Sequence, residues 1–170
     1  MDIKQILLKE HNKKTTLAIV AYVGDDAERF KELMQCFLGD EMRLSQRASW
    51  PLGFIGEERP HLLKPYHKVL IESLQQEQKH NAIKRNVTRI YQSAPIPEKY
   101  EAQLYDICAA FLMDPNEAIA ARAFGLRVCE RVVEKYPEMA NEINEIIKAN
   151  MEHWSSGLKS RGSKFLKRWD

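Results

Sequence analysis

Clustered cations are the part of this chain whose spacing points most directly to chemistry. Lys84, Arg85 and Arg89 fall within six residues, and Lys159, Lys164, Lys167 and Arg168 crowd the last twelve. Guanidinium and ammonium groups at that density suit an extended anion such as a phosphate backbone. The plainer reading of the C-terminal set is a charged helix face in water. Covalent chemistry finds no comparable constellation. Cys36, Cys108 and Cys129 are odd in number with no close pair, which argues against a disulfide framework and a zinc site. Each lies in or beside an apolar pattern and reads as a small core residue in a reducing compartment. His11, His61, His67, His80 and His153 are scattered, and the six-residue gap between His61 and His67 does not stack them on one helix face, so no metal and no cofactor are expected. Gly53, Gly56, Gly157 and Gly162 are isolated rather than gathered in a phosphate loop, and neither a nucleophile beside a base nor paired carboxylates in a basic cleft can be picked out. No catalytic residue is assigned.

The elements that must carry these cations are amphipathic helices. Phe30, Leu33, Met34, Phe37 and Leu38 recur at helical spacing, and Leu104, Ile107, Cys108, Phe111 and Leu112 repeat the pattern 74 residues later. Tyr66, Val69, Leu70 and Leu74 follow it with Ser73 as a defect, and Met139, Ile143, Ile146 and Ile147 with Glu142. Between these runs lie four matching stretches that begin at Leu44, Ile83, Ile119 and Leu158, spaced by 39, 36 and 39 residues. Each places a smaller residue (Ala48, Val87, Ala123, Gly162) four positions on, on the same helix face. A helical period near 40 predicts an α-solenoid. The expected pairs are 26–38 with 40–56, 60–78 with 80–93, 97–113 with 115–135, and 137–152 with 156–169, behind an N-terminal cap of short helices at 2–12 and 15–23. Asp25, Pro115, Pro137 and Ser155-Ser156 supply start signals, and Pro51 predicts a kink within its helix. The chain is thus expected to be a single all-α domain over 1–170, a right-handed solenoid of about four helix pairs over 26–169 with a cap over 1–25.

Charge sorts along this pattern. The second-helix segments 39–56, 80–94, 115–135 and 156–170 contribute 0, +3, +1 and +4 against a chain total of +2. Segments 95–114 and 136–155 contribute −3 each, so opposite surfaces of the solenoid are expected to differ in sign. Around the helix containing Ile83, Val87, Ile90 and Tyr91, the residues Arg85, Thr88, Arg89 and Gln92 fall opposite the apolar stripe. Arg47, Arg122 and Arg161 take equivalent positions, with Asn86 in the second unit, and read as structural arginines that bond loop carbonyls or a neighbouring acid.

A helix pair with a paired small-residue motif on its second helix resembles HEAT or armadillo repeats, over about residues 26 to 169. Asp114-Pro115 followed by Ile119 and Ala123 is the nearest match to the HEAT pattern, whose frequent basic residue after the first aliphatic is kept at Lys84 and Lys159 and replaced by Ser45 and Ala120. The chain is also similar to short bacterial HEAT-like proteins that sometimes carry an adenylosuccinate lyase label. The fumarase-like lyases use a serine loop of the type SSxMPxKxN, and Ser155-Ser156-Gly157-Leu158-Lys159 lacks its Met-Pro and the later Asn. Solenoid DNA glycosylases of similar fold use concave aromatics with an Asp and an Arg, whereas Asp40 and Asp114 stand at helix starts and Asp170 is terminal. Trp50, Trp154 and Trp169 accordingly read as packing residues.

Three functions follow as expectations. The first is a non-catalytic scaffold whose partner is another protein. The second is a nucleic-acid module that grips phosphates through Lys84, Arg85, Arg89, Lys159, Lys164, Lys167 and Arg168. The third is an enzyme whose site the sequence does not reveal. No small-molecule substrate is evident. The charged start Met1-Asp2-Ile3-Lys4-Gln5 and the lack of a long apolar run predict a cytoplasmic protein with neither signal peptide nor membrane span.

Overall fold

A computed structural model describes residues 1–76 and 81–170, with the side chains of residues 81 and 82 also outside the description. Among the described residues the regular structure is entirely helical, as the periodicity predicts. The helices are α1 (Ile3–Lys9), α2 (Lys13–Val23), α3 (Ala27–Leu38), α4 (Met42–Glu58), α5 (Pro60–Leu63), α6 (His67–Ser73), α7 (Asn81–Tyr91), α8 (Glu98–Met113), α9 (Ile119–Lys135), α10 (Ala140–Asn150) and α11 (Ser156–Trp169), with short 3-10 turns at Lys64–Tyr66, Pro137–Met139 and Met151–His153. Contacts gather the chain into two compact units, Met1–Pro95 and Ile96–Asp170.

In the first unit α4 is the hub, packing against α1, α2, α3, α5 and α7. It runs unbroken through Pro51. The helix expected at 60–78 is instead divided into α5, a 3-10 turn and α6, with Pro65, which has no N–H to donate, inside the turn; the end of that range and residue 80 lie outside the described residues. Val69, expected in the stripe, is exposed, while Ile71 and Ser73 are buried. Ser73 is satisfied by donating its hydroxyl to the Leu70 carbonyl at 2.6 Å. The cap of α3 is Asp26 rather than Asp25: its carboxylate accepts from the Glu28 and Arg29 amides, while Asp25 meets His61 Nε2 at 2.9 Å.

In the second unit α9 is the hub, against α8, α10 and α11. Pro115 and Pro137 do not open α-helices. α9 starts at Ile119 after a turn in which the Asp114 carboxylate accepts from the Asn116 amide, and Pro137 opens a 3-10 turn ahead of α10. Ser155 does cap α11, accepting from the Leu158 amide.

The apolar stripes of α3 and α8 are buried as their spacing predicts, Leu38 alone staying half-exposed. α9 departs from the repeat. Ile119 is 57% exposed and Ala123 half-exposed, while Ala121, Gly125, Cys129 and Val132 are buried. This set reproduces the spacing of the buried Leu44, Ala48, Leu52 and Ile55 two residues further along than the sequence match places it. The reason lies in α8: a Cβ at Gly125 would stand 3.4 Å from Cys108 Cβ, so the close approach of the two helices is made at Gly125. The α11 contact is tighter still, since a Cβ at Gly162 would lie 3.0 to 3.1 Å from Trp154, Ile147 and Met151.

Candidate functional site

In the first unit α7 buries Ile83, Val87, Ile90 and Tyr91 against its neighbours, leaving Arg89 exposed and Arg85 half-exposed. Thr88, expected outside, is buried with its hydroxyl donated to the carbonyls of Lys84 and Arg85, and Asn86 is buried beside it. The Arg89 guanidinium carbon lies 5.9 Å from the centre of the Trp50 ring on α4. The His11 ring meets the same indole edge-on at 5.3 Å. Arg47, one turn before Trp50, is anchored by its Nη1, which donates to the carbonyls of Leu7 (2.6 Å) and Leu8 (3.0 Å) at the end of α1. Arg85 Nε reaches the Asn86 side-chain oxygen at 3.4 Å. Lys84 is half-buried on the same helix.

The electrostatics of this group are one-sided. Burial first, and then the charges of Arg47 and Arg89, pull the His11 imidazole below its usual pKa. Partial burial and then Arg85 do the same to Arg89, which is exposed as a residue. Glu10, the adjacent carboxylate in sequence, is turned onto Asn12 and the Thr15 hydroxyl.

The second unit handles its cations differently. Arg168 Nη1 is 2.9 Å from Glu134 and 3.3 Å from Glu130, and Arg127 Nη1 is 2.7 Å from Glu130 and 3.1 Å from Glu134. Two guanidiniums and two carboxylates thus form a closed neutral network between α9 and α11. Burial raises the Glu134 pKa, but the bonds and charges of Arg127 and Arg168 together outweigh it and leave the carboxyl below its ordinary value. Lys164 and Lys167 are exposed and Lys159 is half-exposed. Of the three, Lys164 lines a cleft of about 330 Å³ together with Leu126, Arg127, Glu130, Arg161 and Phe165.

All three arginines read as structural bond backbone carbonyls: Arg47 as above, Arg122 to Leu112 at 3.1 Å and Arg161 to Ala123 at 2.9 Å. The buried Arg122 also lies 5.5 Å from the Trp154 ring, which is itself buried, whereas Trp50 is half-exposed within the basic group. Arg47, Trp50 and His11 were missed as site residues, although Trp50 and Arg89 share one repeat position, six residues after Leu44 and Ile83, on helices that pack together.

Of the other reactive groups, Cys108, Cys129 and Tyr105 are buried and Cys36 is half-buried. Burial raises the Cys129 thiol, which lies 3.8 Å from the Tyr105 carbonyl, and burial also raises Cys36, holding both as thiols. Burial and a hydrogen bond to Glu142 raise the Tyr105 phenol, whose hydroxyl is 3.0 Å from both the Met139 carbonyl and the Glu142 carboxylate. A cavity of about 570 Å³ beside Cys36 is lined by Asp2, Glu32, Asp40 and Glu41 over Ile3 and Leu44.

A family model described as a HEAT repeat domain matches residues 3–169. The chain belongs to the HEAT repeat family. No curated protein and no solved structure matches this HEAT repeat protein. Its arginine-to-carbonyl bonds hold the C-terminal ends of α1 (Arg47) and α8 (Arg122), while Arg161 bonds a carbonyl within α9. Among its described residues no helix is long and apolar enough to cross a membrane.

Proposed function

We propose that this HEAT repeat protein is a non-catalytic scaffold of the cytoplasm that binds another protein. HEAT repeats generally mediate protein interactions, and the extent of the family match, residues 3–169, is the observation that carries the reading. The fate of the reactive side chains supports it: Cys108, Cys129 and Tyr105 are spent in the core, and Arg47, Arg122 and Arg161 on backbone carbonyls. Exposed apolar Met113 and Ile119 flank the turn between α8 and α9, where a partner would gain contact area. The test is quantitative cross-linking in native cells followed by reconstitution with the purified partner. A complex that survives half-molar salt supports the scaffold, and a captured protein that fails to bind when purified removes it.

A second reading, binding of nucleic acid through phosphates, is favoured by the one-sided charge around Trp50. Its candidates are Lys84, Arg85 and Arg89 in the first unit and Lys159, Lys164 and Lys167 in the second, where Arg168 is instead held by Glu130 and Glu134. Fluorescence anisotropy with a labelled duplex and a labelled single strand at two salt concentrations tests it, because counterion release makes phosphate contacts weaken steeply with salt.

A further inference from the structure

We infer that Arg47, Arg85 and Arg89, gathered about Trp50 and His11 in the first unit, form a discrete binding site for a phosphate group carried as an ester. This deepens the second reading by confining it to one pocket of charge, and it stands apart from the scaffold reading.

Three features carry the inference. The first is placement. Trp50 of α4 meets both Arg89 of α7 and His11 of the segment between α1 and α2, Arg47 of α4 lies close enough to act on His11, and Arg85 of α7 close enough to act on Arg89 one turn on. The second is fixation. Both N–H groups of Arg47 Nη1 are held by the Leu7 and Leu8 carbonyls, which orients the guanidinium and leaves the three donors on Nε and Nη2 for another acceptor. Arg85 is steadied by Asn86 through Nε alone. Among the described residues Arg89 makes a ring contact with Trp50 and no hydrogen bond, so its whole donor fork is available.

The third feature is an unbalanced field. The charges that act on His11 are Arg47 and Arg89, and the charge that acts on Arg89 is Arg85; no described carboxylate enters either set. The nearest acid in sequence, Glu10, is engaged by Asn12 and Thr15. Cations that a fold crowds together on a partly enclosed surface repel one another, and an anion that arrives with several acceptor oxygens relieves the repulsion and fills the free donors together. A phosphate ester matches guanidinium geometry bidentately, and the indole offers apolar contact to whatever the phosphate carries. The chloride ion, with one charge and no directed lone-pair geometry, gains the field but not the fork.

The test uses the full chain and nuclear magnetic resonance of the His11 ring, followed as inorganic phosphate, adenosine monophosphate or chloride is added at equal ionic strength. With phosphate or the nucleotide the His11 titration midpoint should rise, and chloride should leave it in place. Arg85→Ala with Arg89→Ala should weaken phosphate binding at least tenfold, while Arg168→Ala in the second unit should change it less than twofold. Circular dichroism establishes that each variant is folded, and Arg85→Lys with Arg89→Lys, which keeps charge and loses the fork, should recover only part of the affinity. A midpoint that ignores phosphate, or a response equal for chloride, overturns the site, as does equal damage from Arg168→Ala. A labelled single strand identifies the source of the ester. Displacement of the strand by inorganic phosphate, and its loss in the Arg85/Arg89 double variant, would place a nucleic-acid phosphate at this site. A strand that binds parent and double variant alike would overturn the site while leaving the broader nucleic-acid reading intact.

Discussion

The two second helices α7 and α9 read alike in sequence, each an apolar stripe studded with arginine, yet they dispose of their cations in opposite ways. α7 keeps Arg89 exposed and Arg85 half-exposed, with no described carboxylate acting on Arg89. α9 buries Arg122 against a carbonyl and a tryptophan ring and ties Arg127 to Glu130 and Glu134, which also neutralise Arg168 of α11. Formal charge therefore overstates the cation supply of the second unit. What a partner meets is the charge left over after internal pairing, which includes Arg85 and Arg89 near Trp50 in the first unit and, in the second, Lys159, Lys164 and Lys167 but not Arg127 or Arg168.

The largest expected effect breaks the comparison at the packing face. Gly125→Leu should cost about 3 kcal/mol, near the top of the usual range for overpacking, because its side chain would enter the contact with Cys108. Ala123→Leu, on the half-exposed side, should change stability by no more than about 0.5 kcal/mol. Denaturant midpoints of the two variants check the rotation of α9, and equal losses would show that α9 packs as the sequence match implies. Next, Arg122→Ala should cost about 2 kcal/mol by leaving the buried Leu112 carbonyl without its donor, read from the same melts.

Smaller effects sharpen the electrostatic half. Replacing Glu130 and Glu134 together by Gln should cost about 1 kcal/mol, since the network is partly exposed, and should tighten binding of a labelled duplex at low salt by freeing Arg127 and Arg168. The change Arg85→Ala with Arg89→Ala should move stability by less than about 0.5 kcal/mol, with the sign favouring the variant because like charges are removed. The smallest effect is in pH. His11 titrates below its ordinary value when folded, so as pH falls the unfolded chain takes up the proton first. Stability should then rise with pH through the interval between the depressed folded pKa and the ordinary imidazole value near 6.5, and His11→Gln should flatten that increment in melts across pH 5 to 7.5.

Helix type and core were legible wherever periodicity was strong and local. The stripes of α3 and α8 needed only the 3.6-residue period, because a run such as Phe30, Leu33, Met34 and Phe37 has one amphipathic solution. The small-residue register of α9 did not. Ile119 with Ala123 and Ala121 with Gly125 are both four residues apart, and the choice between them rests on fit to Cys108 across α8, which no window of sequence contains. Helix starts were half legible: Ser155 works as a cap, whereas Asp25 and Asp26 are chemically alike and only the backbone decides which oxygen reaches the first free amides.

By itself the sequence determined the all-helical repeat, the hydrophobic faces and the cationic character of segments 80–94 and 156–170, because each depends on residue type and short-range spacing. Only the tertiary structure decided which of those cations are free. Arg168 and its partners Glu130 and Glu134 lie 34 to 38 residues apart, and Arg47 reaches carbonyls 39 and 40 residues away. Trp50 and Arg89 likewise meet only because α4 packs on α7. A charge interacts through space and loses its strength within a few ångströms of water or a counter-charge, so its fate follows from helix packing and not from its place in the chain.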